Sequence, residues 1–246
     1  MEQMTPVLQA QLPPEMETPL PLPGVAPLDA NGWLRRDDAY AGQMRCRRAL
    51  LDSTRDAVLW GDGSAAAHEA LEAALAILPD LGFERTADRV RCPDGQQIQL
   101  DPGAPLLTLG RLIQEDICVL EKHGDEHVLT GAVLCFPASW SLAEKVGKPL
   151  IKIHDPVASY DSSIARRVQR LFDGVQPGRP LWRFNRLHYD APDLFQPRPS
   201  NQRRIAPDAA SAGFTRAERQ CILRLPRTGA VLFSIHTYVV KNAPAA

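Results

Sequence analysis

An α+β fold is what this sequence predicts, and three observations carry the prediction. Strand-like runs bounded by turn residues recur at Asp116–Glu121, His127–Phe136, Leu181–His188 and Ala230–Val240. Helical periodicity falls between and around these runs without alternating with them one for one, which reads as antiparallel strands with flanking helices and not as a βαβ repeat. No internal repeat is visible, and 246 residues suffice to bury one sizeable core.

The elements follow in chain order. Met1–Pro27 holds seven prolines and should be extended, so residues 1–32 read as a proline-rich N-terminal arm and residues 33–246 as a single domain. Asp37–Asp52 has an acidic start and apolar positions Tyr40, Met44 and Leu50–Leu51, a helical pattern. Ser64–Leu78 is a clearer helix, capped by Ser64 and lined by Ala67, Leu71, Leu75 and Leu78. Phe83–Arg91 and Gln96–Leu100 read as a hairpin turned at Pro93-Asp94-Gly95, followed by a short helix over Leu106–Ile113. The best strand pair is Asp116–Glu121 with His127–Phe136, joined at Gly124-Asp125. Beyond it, Leu134–Pro156 combines a strand end, a lysine-bearing short helix and His154 on an apolar strand with Ile151, Ile153 and Val157. Ser163–Phe172 reads as a helix, Leu181–His188 as a strand, Arg219–Leu225 as a helix and Ala230–Val240 as the closing strand.

Composition excludes several classes. A net charge of −1 and a pI near 6.6 give no electrostatic footprint for nucleic acid. The clusters Arg45–Arg48 and Arg166–Arg170 read as solvated helix faces. Five scattered cysteines with no CxxC argue against zinc knuckles, iron–sulfur ligation and covalent heme attachment, and fit free thiols in a reducing cytosol. No apolar run approaches the roughly 18–20 residues of a membrane span, and the N-terminus lacks a basic region before an apolar core, so a cytoplasmic location is expected. There is no GxGxxG, Walker A or GxSxG pattern.

Several side chains carry chemistry. His154 sits among apolar residues, and a buried imidazole left unpaired costs roughly 1–3 kcal/mol. Iron, another metal, a carboxylate or a backbone carbonyl would each satisfy it. His154-Asp155 superficially suits a metal phosphohydrolase, but the further His and Asp ligands are missing. Glu115-Asp116 either provides carboxylates for a cation or pairs with a nearby arginine such as Arg111. His123 and His127 flank a turn and read as solvated loop residues. His68 lies on the polar side of its helix, and His188 ends a strand.

Three blocks give a family resemblance: QEDICVL (Gln114–Leu120), LCFPASWSLAEKVGKPLIKIHDP (Leu134–Pro156) and RAERQCILRLPRTGAVLFSIHTYV (Arg216–Val239). In this order, within a stretch from Trp33 to Val240, they resemble the alpha subunit family of heme-dependent oxidative N-demethylases. The resemblance implies a PAS-like antiparallel sheet wrapped by helices and a heme b cofactor. It makes His154 the iron ligand, with His236 as second choice. It gives Lys145 and Arg183 to the heme propionates, Trp140 and Trp182 to the slot, and Asn185 to the pocket through an R-x-N pattern. Glu115 and Asp116 would orient a cationic amine, whose methyl group leaves as formaldehyde in an O2-dependent reaction. This chain shows no flavin or nicotinamide fingerprint and no ferredoxin-type cysteine spacing. A separate reductase subunit with FMN, an iron–sulfur centre and NAD(P)H would therefore supply electrons. Two positions depart from the family pattern: Arg186 stands where Trp commonly follows the Asn, and His236 replaces the Arg of a closing FTIRTY. A non-catalytic heme-binding PAS-like sensor or interaction module, or a relative without heme, stands as the alternative.

Overall fold

The computed structural model describes residues 6–18, 24–154, 162–202 and 204–243. In chain order the elements are β1 (Ala26–Pro27), α1 (Tyr40–Ser53), α2 (Arg55–Val58), β2 (Leu59–Trp60), α3 (Ala65–Ile77), β3 (Glu84–Arg85), β4 (Arg89–Arg91), β5 (Gln97–Gln99), α4 (Pro105–Leu112), β6 (Asp116–His123), β7 (Glu126–Val133), α5 (Leu150–His154), α6 (Ser162–Gly174), β8 (Leu181–Tyr189), β9 (Phe214–Arg224) and β10 (Val231–Lys241). Among the described residues they form a seven-stranded antiparallel sheet, β1-β8-β9-β10-β6-β7-β2, and a small sheet β3-β4-β5. The class is α+β, as the sequence predicts.

Local chemistry explains the boundaries. Ser64 caps α3 by accepting the amide of Ala67 at 3.0 Å. Asp62 does the same for α4 from a distance in sequence, its carboxylate taking the amides of Leu106 and Leu107 at 2.7 and 3.2 Å. Gly61 lies at φ +64°, and a Cβ there would stand 2.0 Å from the carbonyl of Thr130, so only glycine lets β2 close against β7.

The sheet separates two apolar layers. Cys221, Leu223, Leu232, Ile117 and Val119 face a core built with Trp33, Met44, Leu71, Leu75 and Leu109, on the side of α1, α3 and α4. Ile222, Val231, Ile235, Cys118 and Leu120 face the opposite layer, with Leu142, Leu150 and Phe172 from the segment that carries α5 and α6.

Four expectations change. Arg219–Leu225 is not a helix: residues 219–224 lie in β9, paired throughout by β10 on one side and as far as Ile222 by β8 on the other. Both faces of β9 are covered, so its apolar residues run together and the period of two is hidden. His154 closes the short helix α5 rather than sitting on a strand. The expected hairpin over residues 83–100 is three-stranded. Arg47, read as part of a solvated face, is fully buried.

Candidate functional site

The expected site residues fall into two groups. The first lies where β6 begins beside β10. Arg47 crosses from α1 and donates to the carbonyls of Gly110, Gln114 and Glu115 and to Asp116 Oδ1 at 2.5 Å. Asp116 also accepts the amides of Cys135 and Phe136 at 2.7 and 2.9 Å. Both its oxygens are thus engaged, and the carboxylate fixes the turn leading to Trp140. Glu115 is not paired with Arg111, which bonds Asp52 at 2.5 Å. Its Oε1 meets the amide of Arg35 at 2.8 Å and His236 Nδ1 at 2.8 Å, while its buried Oε2 has no partner among the described residues.

His236 Nε2 reaches Asp37 Oδ2 at 3.0 Å. Burial opposes charge on the ring, but Glu115 and Asp37 outweigh it and hold the pKa of His236 up at about 9. Burial likewise raises Asp37, and hydrogen bonds from His236, Gln114 and Gln9 override that and bring it down to about 2. Both ring nitrogens therefore donate to carboxylates. An imidazolium held this way has no lone pair for iron, and the second-choice assignment of His236 as ligand does not fit this geometry. Gln9 of the N-terminal arm closes the network, bonding Asp37, the carbonyl of Thr237 and both backbone groups of Val239. Beside it, Arg35, Asp37 and Tyr238 help line an open cleft of about 430 Å³.

The second group lies on the other face. Register pairs Arg183 with Gln220 and Asn185 with Glu218, and sets Gln220 and Glu218 against Ile235 and Thr237. Directly opposed residues share a sheet face, and Ile235 belongs to the layer beneath α5 and α6. Trp140 packs against that layer too, as does Ile153 of α5. Buried Lys145 donates from Nζ to the carbonyl of Ile153, tying the 3₁₀ turn Leu142–Glu144 to α5. Trp140, Lys145 and α5 thus lie over the same face of the sheet to which the register assigns Arg183 and Asn185. The side chain of His154, with Asp155 to Asp161, lies outside the described residues. Trp182 projects to the opposite face, stacked on Phe184 at 6.1 Å and lying under the guanidinium of Arg219 at 5.3 Å.

Polar groups on this second face are incompletely matched. Burial lowers the pKa of Arg183 against the pull of Glu218, and its buried Nε has no hydrogen-bond partner among the described residues. Thr237 Oγ1 is likewise buried and unpartnered. Glu218 Oε2 accepts from Asn185 Nδ2 and Gln220 Nε2, each at 3.1 Å. Sequence reading missed Glu218, Gln220 and Thr237. The available signal was the polar residues at alternate positions Arg216, Glu218 and Gln220, which Arg219 between them blurs and a helical reading of this stretch conceals. His127 also differs from expectation. It is buried in β7, bonded through Nδ1 to Gln169 at 2.9 Å and packed on Phe172, and burial lowers its pKa.

A family model described as haem-dependent oxidative N-demethylase, alpha subunit-like, matches residues 24–243. The chain belongs to that family. The N-demethylase alpha-subunit-like match takes in both groups of residues and every strand of the large sheet. Among the described residues no helix is long and apolar enough to cross a membrane.

Proposed function

We propose that this chain is the heme-carrying oxygenase subunit of an oxidative N-demethylase. It would act on a small secondary amine such as dimethylamine, in the cytoplasm, with electrons from a separate reductase subunit that holds FMN and an iron–sulfur centre and draws on NAD(P)H. Residues 33–246 form the single PAS-like domain of this reading, and residues 1–32 its arm. The observation that carries the reading is the incompletely matched cation on the second face: the Nε of half-buried Arg183 is buried without a hydrogen-bond partner among the described residues, on the same sheet face as the apolar layer of Ile235, against which Trp140 and Phe233 pack.

A buried guanidinium N–H left without an acceptor costs about 1–3 kcal/mol, and a carboxylate within reach removes that cost. A porphyrin with two propionates combines an apolar ring with such carboxylates, so the residues present fit the group. Arg183 and Lys145 would meet the propionates, Trp140 and Ile235 the ring, and His154 the iron. When bound, the heme supplies the activation of dioxygen for the oxidation of the methyl carbon. The chain's own residues bind, orient and enclose. Asp116 holds the amides of Cys135 and Phe136 and so sets the path of the segment bearing Trp140 and Lys145. In this reading Glu115 and Asp116 support the site through the strands they fix, and Asn185 orients the Glu218 carboxylate.

The test is an absorption spectrum of the protein expressed with heme supply, beside His154→Ala, followed by formaldehyde release from dimethylamine with a reductase and NAD(P)H. Near-stoichiometric heme whose Soret band is lost or shifted in the variant is expected. A wild-type protein that takes up no heme sinks the proposal.

A further inference from the structure

We propose that Glu218 and Thr237 form the binding site for the substrate's protonated nitrogen, making this face selective for secondary ammonium ions. The inference rests on the oxygenase reading for its substrate class, and on the geometry of β9 and β10 for its residues.

Glu218 is nearly fully buried. Its Oε2 is fixed by Asn185 and Gln220, each at 3.1 Å, and Asn185 Oδ1 in turn accepts the amide of Glu218 at 3.2 Å. No hydrogen bond reaches its Oε1 among the described residues, only a long ion pair. The nearest cation, Arg216 Nη2, stands 4.0 Å away and donates instead to the carbonyl of Phe136 at 2.5 Å, while Nη1 donates to that of Leu194 at 3.0 Å. A carboxylate held rigidly by neutral amides, with one oxygen unengaged, is arranged for a cation that arrives later.

Thr237 supplies the second acceptor. It is the direct cross-strand partner of Glu218, and its Oγ1 is buried with no partner among the described residues. Opposed side chains on neighbouring strands have Cβ atoms about 4.5–5.5 Å apart, close enough for both oxygens to meet one nitrogen. A protonated secondary amine carries two N–H donors, matching these two acceptors, and its two methyl groups would lie toward the apolar wall at Ile235. A tertiary ammonium has one donor and a quaternary ammonium none. Asp116 offers no such arrangement, because both its oxygens serve Arg47 and backbone amides, and Glu115, though its Oε2 meets no partner among the described residues, is already paired with the His236 imidazolium through Oε1.

The experiment is isothermal titration of the full-length protein with dimethylammonium and tetramethylammonium chlorides, with heme occupancy read separately from the Soret band. Glu218→Gln keeps the shape and removes the charge, and dimethylammonium should bind about 10- to 100-fold more weakly. Thr237→Val should cost about 3- to 10-fold for dimethylammonium and leave tetramethylammonium unchanged. Should Glu218→Gln fail to fold, as judged by circular dichroism, the ion-selective effect of Thr237→Val decides. Wild-type protein that does not bind dimethylammonium, or folded variants that bind it equally well, would overturn the proposal. Binding that depends on Glu218 in protein without heme would uphold the ammonium site while removing the oxygenase reading.

Discussion

Replacing His236 with arginine should leave the protein folded and remove a pH dependence of stability that the wild type possesses. The imidazolium stands between Glu115 and Asp37 at 2.8 and 3.0 Å, and its pKa is raised from an ordinary 6.5 to about 9. A group with a raised folded-state pKa contributes its full stability below the unfolded value. That contribution fades as pH rises and is gone above the folded value. The window is therefore about pH 6.5 to 9, and a difference of about 2.5 pKa units corresponds to about 3 kcal/mol. The depressed pKa of Asp37 reports the same contact from the other side, with loss as pH falls from 3.8 through about 2, and the two are not added. Arginine, the residue of the FTIRTY pattern that this strand resembles, keeps its charge across the alkaline window. Urea denaturation at pH 6, 7, 8, 9 and 10 would measure it. The wild-type unfolding free energy should fall about 3 kcal/mol further than that of His236→Arg. Parallel declines in the two proteins would refute the reasoning.

Two further substitutions probe the rest of the framework. Arg47→Ala strands the Asp116 carboxylate and three carbonyls in the interior, so it should cost about 3–5 kcal/mol by denaturation. A loss below about 1 kcal/mol, as for an exposed arginine, would contradict that account. Arg183→Ala should speed transfer of heme to apomyoglobin about 10-fold, by loss of one charge-assisted contact, and an unchanged transfer rate would remove Arg183 from the heme site.

The sequence made some of this architecture plain and concealed the rest for identifiable reasons. Ser64 announces α3 because a cap and an apolar stripe occur together within one turn, and the strands at Asp116 and His127 stand out because turn residues bound them. β9 was hidden because a strand with neighbours on both edges and layers on both faces loses its alternation. Arg47 was hidden because burial of a cation depends on carbonyls and a carboxylate some 63 to 69 residues away, which no local pattern encodes. The candidate site shares this difficulty. Arg183, Asn185 and Lys145 entered through motif resemblance, whereas Glu218 and Thr237 become visible only once β9 and β10 are in register.

That register also bears on why His236 is tolerated where an arginine is usual. The position lies on the helix side of β10, opposite Arg219, while Thr237 and Glu218 occupy the other face. Either cation can bridge Glu115 and Asp37, because what the position must supply is a positive charge between two buried carboxylates. An exchange between them changes the pH range over which the arm, through Gln9 and Asp37, is held against β10. It leaves the composition of the proposed ammonium site untouched, because the side chains of consecutive strand residues point to opposite faces. The departure from the family pattern at His236 is thus a change in the scaffold's titration, and the proposed selectivity for the amine would rest with residues one position away on the strand and across the sheet.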